Sequence, residues 1–571
     1  MTRVGIVVLI LLTALGAVTA AFGVTPAWWF AALPLTLVGA LGAWDLLQRR
    51  HSVLRNYPVL GHARFLLERI RPELQQYFIE RNYDGRPFDR DVRSIVYERA
   101  KGTDAEEPFG TERDVYRPGH EFLVPSMAPC PVPETPPRVR IGGPHCGLPY
   151  DMALLNVSAM SFGSLSAGAV LALNGGAAAG GFAHDTGEGG LSEHHLRPGG
   201  DLVWEIGTGY FGCRTDKGDF DAAEFADKAA HDHVRCVSLK LSQGAKPGIG
   251  GVLPGAKVNA EIARVRDVPE GRTVISPPYH KVFSTPRELV RFVARMRELS
   301  GGKPAGFKLC VGSRRQFLAV CKAMLEEGTA PDFIVVDGAE GGTGAAPLEF
   351  ADHVGTPLTE GLLTVHNALV GAGLRDQVRI GASGKIATGA DLVKRLVQGA
   401  DYGNAARAMM FAVGCIQAQR CHTNTCPTGV TTQDPRRARA LDVPDKTERV
   451  RRFQEATVAS ALQIMASMGV TDPAHLRPHM LRRRVDPCTE RSFEELYEWL
   501  APGQLLAEPP ASWAADWQAA DPTASPSEPE DPHDPHRCPR HRRRVERTRR
   551  APGVRRRGRR PQPRHRRHPH H

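Results

Sequence analysis

Hydrophobic positions fall into three regimes along this chain. Two near-continuous apolar runs open it, Val4–Phe22 and Ala27–Trp44, joined by Gly23-Val24-Thr25-Pro26. Each run is close to the ~20 residues a helix needs to cross a bilayer, and the Gly/Pro link suits a helical hairpin. Arg49, Arg50, His51 and Arg55 follow the runs, whereas only Arg3 precedes them. The positive-inside rule then puts both ends, and the large domain, on the cytoplasmic side of the inner or cell membrane. A cleaved signal peptide ending near Val18-Thr19-Ala20 is the competing reading, and the second apolar run argues against it.

Residues 49–145 are polar, helix-prone at first and then Pro-rich, a lead-in expected to pack on the domain that follows. From Pro149 apolar β-rich runs alternate with helical ones: "MALLNVSAM" with "AGAVLALNGGAAAGG", "AGFKLCVG" with "RQFLAVCKAML", "QVRIGASG" with "GADLVKRLVQGA". Thr285 or Ser284 caps the helix that opens at Pro286. Buried parallel strands separated by helices define an α/β protein, and the length of the pattern fits a closed (β/α)8 TIM barrel better than an open sheet. The expected organisation is two transmembrane helices over 1–48, the lead-in over 49–145, the barrel with its loops over 146–500, and a disordered Pro/Arg/His-rich tail over 501–571.

Composition changes one point of this picture. The chain has 571 residues, 42% hydrophobic and 24% charged, enough for a large core, and a formal charge of +11. Sixteen arginines and a single acid, Glu546, lie in Arg537–His571, so that tail supplies +15 and the remainder −4. The basic balance belongs to a low-complexity appendage, read as inert disorder or a shifted reading frame, and no nucleic-acid partner is expected. Eleven cysteines without a small-domain spacing point to a reducing compartment.

The chemistry is expected at the strand ends, where barrel loops converge. Glycine-rich loops occur there: Ser161-Phe162-Gly163-Ser164, "AEGGTGAAP" from Ala339, Gly384-Lys385, and "ADYGNAARA". Such loops let backbone N–H groups approach a phosphate, so a phosphate-bearing cofactor is expected, with Lys308 placed to stabilise charge on a reduced flavin ring. "KLSQGAKPGIGGVLPGAKV" fixes Lys240, Lys246 and Lys257 in a Gly/Pro loop suited to dicarboxylates, and Arg266 adds a bidentate donor. "HDTGEGGLSEHH" offers Asp185 and Glu188 for proton transfer. Cys415, Cys421 and Cys426 stand at C-x5-C-x4-C. Three thiolates suffice for a three-iron cluster, and the rival is a zinc site completed by His422, whose adjacency to Cys421 makes a tetrahedron awkward.

Together "SAMSFGSLS", "DTGEGG", "SQGAKPGIGGVLPGAKV", "SPPYHKVFST", "GGTGAAP" and "GCIQAQRCHTNTCPTGV" resemble the synthase domain of glutamate synthase over about residues 130 to 450. The resemblance implies FMN bound at Met160, Ser161, Lys308, Gly341, Gly342, Thr343, Gly384 and Gly403. It implies 2-oxoglutarate held by Lys240, Lys246 and Arg266 with Glu188 at the reacting end, and a 3Fe-4S cluster on Cys415, Cys421 and Cys426. The implied reaction turns 2-oxoglutarate and ammonia into an imine that reduced FMN converts to L-glutamate.

Departures bear on this expectation. Ile249 and Val252 replace Glu and Gln of the family's usual loop, so another amino or oxo acid, or an N-alkylglutamate, is the alternative substrate class. A membrane-anchored, stand-alone form is expected, since membrane helices stand where the family has a glutaminase domain. No strand-G-x-G-x-x-G-helix unit is evident, so electrons are expected from a partner, ferredoxin or a membrane donor. A non-catalytic membrane electron-transfer subunit is the third reading, and an oligomer is compatible with the sequence.

Overall fold

The alternation after Pro149 resolves into eight parallel strands: β1 Leu155–Val157, β2 His184–Asp185, β3 Leu202–Ile206, β4 Val234–Lys240, β5 Ala305–Leu309, β6 Phe333–Asp337, β7 Arg379–Ser383 and β8 Tyr402–Ala405. They neighbour one another in sequence order and β8 pairs with β1, closing the barrel. The computed structural model describes residues 3–103, 106 and 108–524. Helices cover the outside of the strands, so residues on both faces are buried, which is why most of the strands read as apolar runs rather than as alternation.

Helix boundaries follow local chemistry. Thr285 accepts from the Glu288 amide, Glu288 reaches back to the Thr285 amide, and Pro286 takes the first turn of Pro286–Leu299, as the sequence predicts. The helix Ala167–Gly180 is made of small residues because the long helix Val443–Ser467 lies directly on it: a Cβ at Gly176 would stand 2.5 Å from Val450 Cγ1. Such close approach excludes even alanine without movement.

The helices Arg3–Gly23 and Trp29–Leu47 pack on each other. Gly39 and Gly42 admit Leu11 and Val7, while Leu12, Leu15, Phe30, Leu33 and Leu37 remain exposed. By length and composition each is able to cross a membrane. Asp45, near the end of the second helix, is fully buried and accepts from the Val59 amide at 2.9 Å, and His62 Nε2 lies 2.9 Å from it.

The expectation of an unstructured tail from residue 501 is corrected over 501–524. The helix Ala511–Ala519 packs on the barrel through buried Trp513, which lies 4.5 Å below the Arg314 guanidinium, and Arg314 Nε meets Asp516 at 2.6 Å. Pro and acid content misled there, because two tryptophans in a short helix supply enough apolar surface to dock it. The Arg/His-rich remainder lies outside the described residues.

Asp332 ties the lead-in to the barrel. Its carboxylate accepts from the Gly143 amide at 2.7 Å, the Ala305 amide at 2.8 Å and Arg297 Nε at 2.8 Å, with both side chains buried. Asp332→Ala would leave a guanidinium and two amides without partners, so the prediction is a loss of about 3–5 kcal/mol in urea unfolding of the full chain.

Candidate functional site

Loops at the carboxyl ends of the strands enclose one cavity of about 1140 Å³. Met160 and Ser161 follow β1, Gly187 and Glu188 follow β2, Lys240 ends β4, Lys308 stands on β5, and Gly341, Gly342 and Thr343 follow β6; all line it. A smaller cavity beside Ser158 is lined by Gly341, Gly342, Gly384, Lys385, Asn404 and Arg407. The mouth is therefore shared by residues far apart in sequence, as a barrel requires.

The expected flavin positions divide. Met160, Ser161, Lys308, Gly341, Gly342 and Thr343 border the large cavity, and Gly384, at φ 151°, borders the small one. Gly403 borders neither: a Cβ there would meet Leu392 and Ile386, so this glycine serves the packing of β8 on its covering helix. Lys385 and Arg407, which residue type alone did not single out, bring two cations to glycine-rich backbone in the smaller cavity. Arg407 donates to the Glu340 carbonyl at 2.5 Å and lies 4.9 Å above the Phe88 ring. Cations over exposed backbone amides make a donor set that fits a phosphate.

The expected substrate residues also divide. Lys240 Nζ lies 2.9 Å from Glu188 and donates to Gln243 at 3.1 Å, with all three side chains on the cavity. Burial raises the Glu188 carboxyl, but Lys240, with Arg266 and Lys308, more than offsets it and the net shift is downward, leaving a carboxylate. Gly251 is glycine because Glu188 passes where its Cβ would stand, at 2.4 Å. Arg266, by contrast, is sealed behind the first loop, donating to Ser161 Oγ at 3.1 Å and the Phe162 carbonyl at 2.9 Å over the Phe211 ring. Lys246 is buried too and donates to the Gly250 carbonyl at 3.2 Å. Neither lines the cavity: both shape its walls, since a charge's type does not reveal which side of a loop it faces.

Cys415, Cys421 and Cys426 are unpaired thiols on the same large cavity. Among the described residues no three His, Cys, Asp or Glu side chains close around a single metal ion. A cluster holds its cysteines further apart than one ion does, and three soft donors without a carboxylate suit iron and sulfide. Burial raises Cys415 to about 12, whereas hydrogen bonds from Thr428 and Thr431 overcome burial at Cys426 and hold it near 7. Lys257, buried, donates to the Ser164 carbonyl at 3.0 Å; burial lowers it to about 8 against the pull of Cys421 and Cys426. The lead-in covers this loop: Tyr97 donates to the Cys415 carbonyl at 2.7 Å, Gln76 to the Ile416 carbonyl at 3.0 Å, and Arg420 pairs with Glu73 at 3.0 Å.

Asp185, on β2 and bordering neither cavity, is buried and lifted to about 8, first by burial and then by Glu205, against the opposing pull of Lys308. A raised carboxyl binds a proton in the folded state that the unfolded chain releases near pH 4, so its stabilising contribution is lost as pH rises from about 4 to about 8. Asp185→Asn removes this dependence. The prediction is a melting-temperature difference, variant minus wild type, that grows in favour of the variant between pH 5 and pH 8 in the cofactor-free protein.

Residues 152–471 match the conserved region in glutamate synthase. A glutamate synthase large subunit-like protein, YerD, of Bacillus subtilis is 38% identical over 497 residues, covering 80% of this chain and 94% of the relative. The archaeal glutamate synthase [NADPH] of Methanocaldococcus jannaschii is 34% identical over 342 residues, 60% of this chain, which spans 64% of that relative's length. A ferredoxin-dependent glutamate synthase of Antithamnion is 37% identical over 201 residues, 35% of this chain and 13% of the relative. Among solved structures, a mandelate oxidase with 2-hydroxy-phenylacetamide aligns over 71% of this chain and 96% of its own at 14% identity and TM-score 0.40. The chain belongs to the glutamate synthase family and is an oxidoreductase acting on amino or oxo groups.

Proposed function

We propose that this protein makes L-glutamate from 2-oxoglutarate and ammonia, with FMN in the barrel mouth and a 3Fe-4S cluster on Cys415, Cys421 and Cys426. The observation that carries this reading is convergence: glycine loops, the Lys240–Glu188 pair and three free cysteines border a single cavity. Bound there, FMN would supply the electron pair that reduces the imine, and the cluster would relay single electrons to it. NADPH and ferredoxin, named for the relatives, are the two donor classes to test.

Each residue has a separable task. Lys240 offers the substrate carboxylate a charge-assisted donor on the cavity wall. Glu188, ionised and 2.9 Å from Lys240, accepts a hydrogen bond from the incoming ammonium and orients it at its Oε atoms. Lys385 and Arg407 neutralise the cofactor phosphate over the glycine backbone. Arg266 keeps Ser161 and the Phe162 carbonyl in place from behind. The apolar hairpin anchors the chain, with the barrel on the cytoplasmic side of the membrane.

A second reading rests on Val252, which lines the cavity where the family's usual loop carries a polar residue. It assigns the site to another amino or oxo acid, including an N-alkylated glutamate, whose extra carbon would lie against that apolar wall.

Full-length protein in detergent is expected to show flavin absorbance and an EPR signal from the oxidised cluster. Dithionite-reduced protein given 2-oxoglutarate and ammonium should regain the oxidised flavin spectrum and form glutamate; purification without any flavin would sink the proposal. N-methylammonium in place of ammonium separates the second reading, which expects faster reoxidation with it. Lys240→Ala should raise KM for 2-oxoglutarate about 10- to 100-fold, the loss of one charged hydrogen bond. Cys421→Ser should lose the iron signal and keep the flavin.

A further inference from the structure

Glu205 occupies a position that the proposed chemistry leaves unused. It stands on β3 among apolar neighbours, is 1% exposed, and its carboxylate contacts the Lys308 ammonium, itself 4% exposed. Both side chains border the large cavity. Lys308 is registered directly opposite Lys240 on the neighbouring strand, and Lys240 has its own partner in Glu188. The floor is thus built of two matched pairs rather than two free cations. Burial alone would lower Lys308, yet Glu205, then Asp185 and Asp337, raise it, so its positive charge is permanent and permanently faced by a carboxylate. Asp185 borders neither cavity, which leaves Glu205 as the carboxylate that meets Lys308 at the cavity wall.

Resting on the flavin reading above, we propose that Glu205 is a positioning residue that sets the reduction potential of the cofactor by offsetting Lys308. Reduction adds electron density to the ring. An unpaired buried ammonium in the same cavity would favour that step strongly, because a charge acts at low local dielectric there, and the Glu205 carboxylate would cancel most of the effect. The cofactor is therefore kept a stronger reductant than Lys308 alone would make it, which suits delivery of electrons to an imine.

The test is an anaerobic titration of the full-length protein against redox dyes, reading flavin bleaching. Glu205→Gln is nearly isosteric and should shift the two-electron equilibrium toward the reduced form at least tenfold, about 30 mV for such a couple, with flavin content unchanged. Lys308→Met should shift it the other way, and the double variant should return close to wild type. Should the single Gln variant fail to fold, Lys308→Met and the double variant, which buries no unpaired charge, still decide the matter. Equal potentials in those two, or an unmoved Glu205→Gln, overturn the inference. Wild-type protein without flavin would overturn the cofactor reading and take this inference with it.

Discussion

Two lysines stand directly opposite each other on neighbouring parallel strands, Lys240 on β4 and Lys308 on β5, both buried at the barrel mouth. Like charges in that register repel, and both side chains are more than nine-tenths buried, so water does little to relieve it. The arrangement exists because β3 and the loop after β2 each bring a carboxylate, Glu205 and Glu188, to one of the lysines. Much of the mouth follows from this requirement. Gly251 is small so that Glu188 can pass, Gly207 is small for the same reason, and the Gly/Pro-rich segment carrying Lys246 folds over the paired groups.

The cavity walls come from three separate stretches. Strand ends supply the charged floor, the segment after β8 supplies the cysteines, and the lead-in supplies Arg86, Pro87 and the Phe88 ring beneath Arg407. Gln417 locks the last two together, its side chain accepting from the Phe88 amide at 3.1 Å and donating to the Phe88 carbonyl at 3.1 Å, from a backbone at φ 57°. Asn424, also at positive φ, fastens the cysteine loop to the Gly/Pro-rich lysine loop through the Ala256 carbonyl at 3.0 Å. A loop held this way on two sides keeps its thiols on the cavity wall.

The barrel was legible because doubly buried strands leave an apolar signature, and the glycine loops because close backbone approach demands them. Strand β2 was not legible: it is two residues, His184–Asp185, polar, and recognisable only by its pairing with β1 and β3. Glu205 was hidden for the opposite reason, a single acid inside "LVWEI" that looks like an interruption until its partner on another strand is seen. Arg266 and Lys246 were read into the cavity because their charge was right; loop direction, which depends on long-range packing over Phe211 and Gly250, turned them into its walls. The docked helix Ala511–Ala519 was masked by the prolines and acids around it.

One helix connects the two ends of this design. Gly61–Leu74 begins beside the Asp45 carboxylate that closes the apolar hairpin and ends at Glu73, which grips Arg420 of the cysteine loop. Fourteen residues of helix measure about 21 Å, less than the width of a small folded domain. The apolar hairpin and the cysteine loop are thereby tied to opposite ends of one stiff rod. A displacement of the hairpin is therefore passed along that rod to the loop that carries the thiols, and the two cannot move independently.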